Sequence, residues 1–149
     1  MATRFCLSKD VVGSGAFCAL PPRARLLYVY LNMDADGDGV VANERPAMAN
    51  AGASKKDLDA LMDARFLLKA GRVLVIKHWW KNNVYKRDRY HQTAWLDDVN
   101  HLKLREDGVY TERDEPGYET FAEQAKRRLE GKENGTKTEP KRNQSGTRI

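Results

Sequence analysis

Residues 66 to 91 read FLLKAGRVLVIKHWWKNNVYKRDRYH, and the rest of the chain can be arranged around this stretch. Phe66 to Leu68 and Val73 to Ile76 are short apolar runs, the second rich in β-branched residues. Lys69-Ala-Gly-Arg72 lies between them and supplies a glycine-containing turn, so the pair reads as an antiparallel hairpin with a basic tip. Past the hairpin, Lys77, Lys81, Lys86, Arg87 and Arg89 stand against the single acid Asp88, interleaved with His78, Trp79, Trp80, Tyr85 and Tyr90. Cations neutralise phosphates, while aromatic faces either stack on bases or cover apolar core.

Upstream of the hairpin the pattern is helical. Pro21-Pro22 presets the first turn of a helix from Pro22 to Met33, with Ala24, Leu27, Tyr28 and Leu31 on one face. Asn43 can cap a second, short helix that tolerates Pro46 in its first turn, turns Ala47, Met48 and Ala51 inward and ends at Gly52. Ser54 with Asp57 is a capping-box variant for a third helix, in which Leu58, Leu61, Met62 and Arg65 share a face. Three helices followed by a two-stranded hairpin is the order of a winged helix-turn-helix, an α+β fold whose third helix faces the major groove and whose hairpin is the wing. The DNA-contact candidates are then Lys55 and Lys56 at the start of the third helix, Arg72 at the wing tip, and Lys81, Lys86, Arg87 and Arg89 beyond it. Asp59 and Asp63 on the same third helix would be repelled by phosphates.

The remaining segments are less patterned. Residues 1 to 20 suggest a short extended or irregular segment interrupted by Gly13-Ser-Gly15. Thr93 can cap a helical stretch from Ala94 to Leu104, with Trp95, Val99 and Leu102 on one side and Asp107-Gly108 closing it. A C-terminal amphipathic extension, 113 to 130, places Tyr118, Phe121, Ala122, Ala125 and Leu129 at helical spacing. From Gly131 to Ile149 the chain is polar and basic, with nothing apolar before Ile149, and reads as a disordered tail.

Asp34-Ala-Asp-Gly-Asp-Gly39 matches positions one, three, five and six of a calcium-binding EF-hand loop, but position twelve, which must supply a bidentate carboxylate, is Arg45. A polar turn is the better reading, and neither a metal nor a cofactor is expected. His78, His91 and His101 have no Asp, Glu or Cys partners at ligand spacing, so no catalytic residue and no enzyme activity are expected. Cys6 and Cys18 are too few for a disulfide framework and read as buried free thiols. No run of about 18 apolar residues is present, which points to a cytoplasmic protein without a membrane span. The net charge of +5 is uneven: +4 over residues 77 to 96, −5 over 97 to 119 and +4 over 120 to 149. That layout suits a domain, residues 1 to 112, with one nucleic-acid-facing patch.

Several of these residues also carry a family resemblance. They are Leu27-Tyr28 with Leu31, Asp34-Ala-Asp followed by Gly39-Val40, Asn43 with Met48, Gly52-Ala-Ser-Lys55, Val75-Ile-Lys-His-Trp79, Asn82-Asn83, Asp88-Arg-Tyr90 with Thr93, and Glu106-Asp-Gly-Val-Tyr-Thr-Glu112. In these the chain resembles the winged-helix domain of phage replisome-organiser proteins, related to the N-terminal part of DnaD-type replication initiation proteins. The likeness runs over roughly Phe5 to Glu112. It implies origin recognition or the loading of replication proteins on phage or prophage DNA, with duplex DNA as partner and a replicative helicase or helicase loader as a further candidate. A homo-oligomer is a candidate partner too, but the oligomerisation function of a DnaD-type C-terminal domain is not carried over. A protein-interaction adaptor and a winged-helix transcriptional regulator are the alternative readings, since the fold alone does not separate them.

Overall fold

The computed structural model describes residues 5–83 and 90–130. Residues 5 to 20 depart from the extended reading: two one-turn helices, α1 (Lys9–Val12) and α2 (Gly15–Cys18), stand in series. Each has its own serine cap. The Ser8 hydroxyl accepts from the Asp10 N–H at 3.2 Å, and Ser14 accepts from the Phe17 N–H at 3.2 Å while donating to the Val11 carbonyl. Gly13-Ser14 does prevent one continuous helix, but two local caps suffice for two short ones. Both cysteines are exposed free thiols rather than buried ones; for Cys18 the reason is that α2 turns Phe17 inward. Phe17 sits edge-on to Tyr28 and Phe66, 5.2 and 5.3 Å between ring centroids.

Helix α3 (Pro22–Asp34) buries Ala24, Leu27, Tyr28, Leu31 and Asn32 against α4 (Arg45–Ala51) and α5 (Lys55–Asp63). Gly52 closes α4 in the left-handed conformation, and Leu58 and Leu61 turn inward from α5. Arg65 does not share their face. It lies past the end of α5 with φ 67° and pairs with Glu112 at 2.6 Å.

The hairpin forms as strands β2 (Leu67–Ala70) and β3 (Val73–Ile76), with Lys69 and Ala70 inside the ladder and only Gly71-Arg72 in the turn. A third strand, β1 (Val40–Val41), pairs antiparallel with β3 through Val40–Val75 and Val41–Leu74, giving the order β1-β3-β2. All four residues of β3 are buried, as expected of a central strand covered on both faces.

The segment expected as a helix from Ala94 to Leu104 splits. Only α7 (Leu96–Val99) is helical, following one-turn α6 (Trp79–Asn82), and Lys103–Leu104 forms strand β4. That strand pairs with β5 (Tyr110–Thr111) on one side and β6 (Glu119–Thr120) on the other. Ladder bonds on both edges of β4 outweigh the local helical spacing, so Asp107-Gly108 closes a hairpin instead of a helix.

Helix α8, residues 121–130, starts later than Tyr118 because Thr120 and Glu123 form a reciprocal capping box. The Thr120 N–H donates to Glu123 Oε1 and the Glu123 N–H to Thr120 Oγ1, both at 3.0 Å. Its buried face is Phe121, Gln124 and Ala125, with Leu129 exposed. Phe121 stacks on Tyr110 at 4.6 Å, which joins α8 and the second sheet to the same core as the first. The expected tail, 131–149, lies outside the described residues.

Candidate nucleic-acid interface

Lys55 and Lys56 occupy the first turn of α5 and are exposed. Asp57 holds that turn through the Ser54 N–H, 2.9 Å from its Oδ2. Two lysines at the positive end of a helix dipole oppose the dipole, so they are not there to stabilise α5. Neither enters an ion pair among the described residues. Asp59 and Asp63, also exposed, lie further along the helix.

Arg72 is held in place by a neighbour. Its Nε and Nη2 donate to the Asp98 carboxylate at 3.2 and 2.9 Å, its backbone N–H donates to Asp98 Oδ1 at 3.1 Å, and its guanidinium lies 5.1 Å from the Trp95 ring centre. The hydrogen bonds and charge of Arg72 hold the Asp98 carboxyl below its usual range. The hairpin tip is thereby tied to α7, and the charge of Arg72 is largely neutralised within the chain. Gly71 is left-handed, φ 55°, and a Cβ there would run into Asp98.

Lys81 is exposed on α6. It follows the far end of β3 from the Arg72 turn, so the two cations lie at opposite ends of one strand, roughly 10 Å of strand between them. Lys86, Arg87 and Arg89 lie outside the described residues. The structure therefore brings neither Arg72 and Lys81 together nor Arg72 into a free state.

Both tryptophans of the basic stretch belong to the fold. Trp79 is buried and donates from Nε1 to the Gly37 carbonyl at 3.1 Å. Trp80 donates to the Tyr110 hydroxyl at 2.8 Å, and the Arg128 guanidinium lies 3.5 Å from its ring centre. His78 packs on Phe66, and burial, with Lys77 and Lys81 adding, pushes its imidazole down to about 4. It is therefore neutral at pH 7 and adds no charge to the basic surface.

What sequence reasoning missed is how the chain on either side of residues 84–89 is anchored. On one side, Asn82 donates to the Tyr28 hydroxyl at 2.8 Å and accepts from the Ser8 N–H at 3.0 Å, and Asn83 accepts from the Cys6 N–H at 3.0 Å. On the other side the anchor is the aspartate turn. Tyr90 donates to Asp38 at 2.8 Å, the Thr93 N–H donates to Asp38 at 2.8 Å, and the Thr93 hydroxyl donates to Asp36 at 2.6 Å. Asp36 also accepts from the N–H groups of Asp38 and Val40 at 2.9 and 3.0 Å. These carboxylates are thus taken up in internal hydrogen bonds, and no cluster of His, Cys, Asp or Glu among the described residues is arranged to hold a metal. Burial pushes Asp38 up to about 6, with Asp36 adding and the Thr93 N–H, Tyr90 and Arg128 opposing; burial raises Asp36 as well. The one signal available in the sequence was that three acids in a glycine turn, without a twelfth-position ligand, needed some other donor.

No family model, curated protein or solved structure matches the chain. Among the described residues no helix is long and apolar enough to cross a membrane.

Proposed function

We propose that this chain is a DNA-binding replication-initiation module of the replisome-organiser type, a winged helix that binds duplex DNA and helps load replication proteins in the cytoplasm. The observation that supports it is the connectivity α3-β1-α4-α5-β2-β3 with strand order β1-β3-β2. In that reading α5 is the groove-facing helix and β2–β3 the wing. Lys55 and Lys56 support it further, since a phosphate at the start of α5 would be met by the helix dipole together with two cations that enter no ion pair among the described residues. Arg72 contributes less than its place at the wing tip suggests, because Asp98 already neutralises it.

Exposed Asp59 and Asp63 on α5 favour a second reading, an adaptor that uses this helix to bind a protein partner. Fluorescence anisotropy on duplexes of unrelated sequence, repeated over a salt series, separates the two. Wild type is expected to bind at low salt. Lys55→Ala with Lys56→Ala, and separately Lys86→Ala with Arg87→Ala and Arg89→Ala, should weaken binding on every sequence, with the log–log salt slope shallower by up to about 0.9 for each phosphate no longer neutralised. If wild type binds no duplex at low salt, the adaptor reading replaces this one.

A further inference from the structure

Four cations from four parts of the chain gather at the base of the hairpin, at the end of β3 away from Arg72. Backbone bonds place three of them. The Lys77 N–H donates to the Phe66 carbonyl at 3.3 Å, which sets Lys77 beside Arg65, and the Lys77 carbonyl accepts from the Tyr110 N–H at 2.9 Å. Tyr110 pairs with Leu104, and Arg105 follows Leu104 into the β4–β5 turn, where its N–H donates to the Val109 carbonyl at 2.9 Å. Lys81 is the fourth. Gly108 of that turn lies so close to the Trp80–Lys81 peptide that a Cβ there would come within 3.6 Å of the Lys81 nitrogen. Arg65, Lys81 and Arg105 are exposed, and Lys77 is half-buried.

This grouping does not serve the stability of the free chain. Burial, then Arg65 and Arg105, lower the Lys77 ammonium, with Glu112 and Asp107 opposing. Arg65 also holds φ 67°, a left-handed backbone that glycine adopts without strain and arginine does not. Glu112 lies 2.6 Å from Arg65 and Asp107 2.7 Å from Arg105, while Lys77 and Lys81 enter no ion pair among the described residues. The two arginine pairs differ from Arg72–Asp98. The Asp98 side chain is 10% exposed and accepts three hydrogen bonds from Arg72, whereas Glu112 and Asp107, 58% and 43% exposed, each accept one from their arginine. Exposed pairs of that kind contribute little in water, so a phosphate can take the place of the carboxylate.

We propose that Arg65, Lys77, Lys81 and Arg105 form a second phosphate-binding site for the backbone of duplex DNA, at the base of the wing and apart from its tip. The site rests on the reading of this chain as a DNA-binding module. Phosphate contacts carry no sequence information, so it adds affinity on every duplex and no preference among them.

Fluorescence anisotropy on duplexes of unrelated sequence, over a salt series, tests it. Arg65→Gln with Lys77→Met and Arg105→Gln should weaken binding about tenfold or more at low salt and make the log–log salt slope shallower by up to about 0.9 per phosphate released. Arg23→Gln with Lys126→Gln, which removes charge from α3 and α8 instead, should stay within about twofold of wild type. Asp107→Asn with Glu112→Gln should do the opposite of the triple variant, tightening binding and steepening the slope, because it frees two arginines for phosphate. That gain cannot come from misfolding, so it remains decisive if the triple variant fails to fold. Low-millimolar inorganic phosphate at constant ionic strength should not displace the duplex; displacement would mark a small-anion site instead. If wild type binds no duplex at low salt, the site and the DNA-binding reading fall together. If wild type binds, but the folded triple variant keeps its affinity and slope, or the acid-to-amide variant binds no tighter, the site alone is overturned and the reading stands.

Discussion

Asp38 and Asp98 perform the same task in two different surroundings. Each fastens a distant stretch of chain to a glycine turn: Asp38 holds Tyr90 and Thr93, and Asp98 holds the Gly71-Arg72 tip. Asp38 is 0% exposed and its partners are neutral, so burial raises its carboxyl. Asp98 lies under an arginine whose side chain is 74% exposed, and that cation lowers it. The expectation is that Asp38 is the stronger anchor, because its buried donors have no substitute, while Asp98, its side chain itself only 10% exposed, holds an exposed arginine that water can solvate in its place.

The largest effect expected from this contrast is that of Asp38→Ala. It leaves the Tyr90 hydroxyl and the Thr93 N–H buried without an acceptor, a cost of about 4 kcal/mol, best measured by urea denaturation at pH 5. Asp98→Ala should cost far less in the same assay. If the two variants lose equal stability, interior and surface anchors are not distinguished as argued.

The glycines sharpen the same comparison. Gly39, φ 85°, faces Trp79 so closely that an added Cβ would come within 2.5 Å of its ring. Gly39→Ala should therefore cost about 3 kcal/mol, combining left-handed strain with displacement of a buried ring. Gly71→Ala should cost about 1 kcal/mol, because the nearest atom it meets is the terminal Oδ1 of Asp98 and not a buried ring. Thermal melts that rank Gly71→Ala as the worse of the two would contradict this account.

The pH responses should run in opposite directions. Asp38 is raised in the folded state to about 6 from an ordinary value of 3.8, so the folded chain holds a proton that the unfolded chain releases. Its contribution to stability is present below about pH 4 and is lost as pH rises to about 6, up to about 3 kcal/mol. Asp98 is lowered, so its contribution is present above the unfolded value and is lost as pH falls through the folded one. Denaturation midpoints compared between wild type and Asp38→Asn from pH 4 to 7 check the first statement: the wild type should lose stability relative to the variant, and parallel curves would refute it. The smallest expected effect is that of Arg72→Ala on duplex affinity. It should stay below about twofold and well short of the weakening caused by Lys55→Ala with Lys56→Ala, since Asp98 already neutralises Arg72.

Elements whose signals are local were legible in the amino-acid order. Pro22 at a helix start, Ser54 with Asp57 at another, Gly52 at a helix end and the alternation around Gly71 specify α3, α5, the end of α4 and the β2–β3 hairpin through interactions within a few residues. The uneven charge and the succession of α3, α4 and α5 before the hairpin likewise required no tertiary information. Other features depended on contacts between residues far apart in the chain. Lys103–Leu104 is a strand because two other segments bond to it, Gln124 is buried because α8 packs its Phe121 face on the core, and Asp36 and Asp38 become anchors because Tyr90 and Thr93 reach them across more than fifty residues. A carboxylate in a glycine turn has the same local signature whether it faces a metal, water or a buried hydroxyl. Which donor it meets is decided only when the chain closes on itself, because hydrogen-bond partners in the interior are set by packing and not by sequence neighbours.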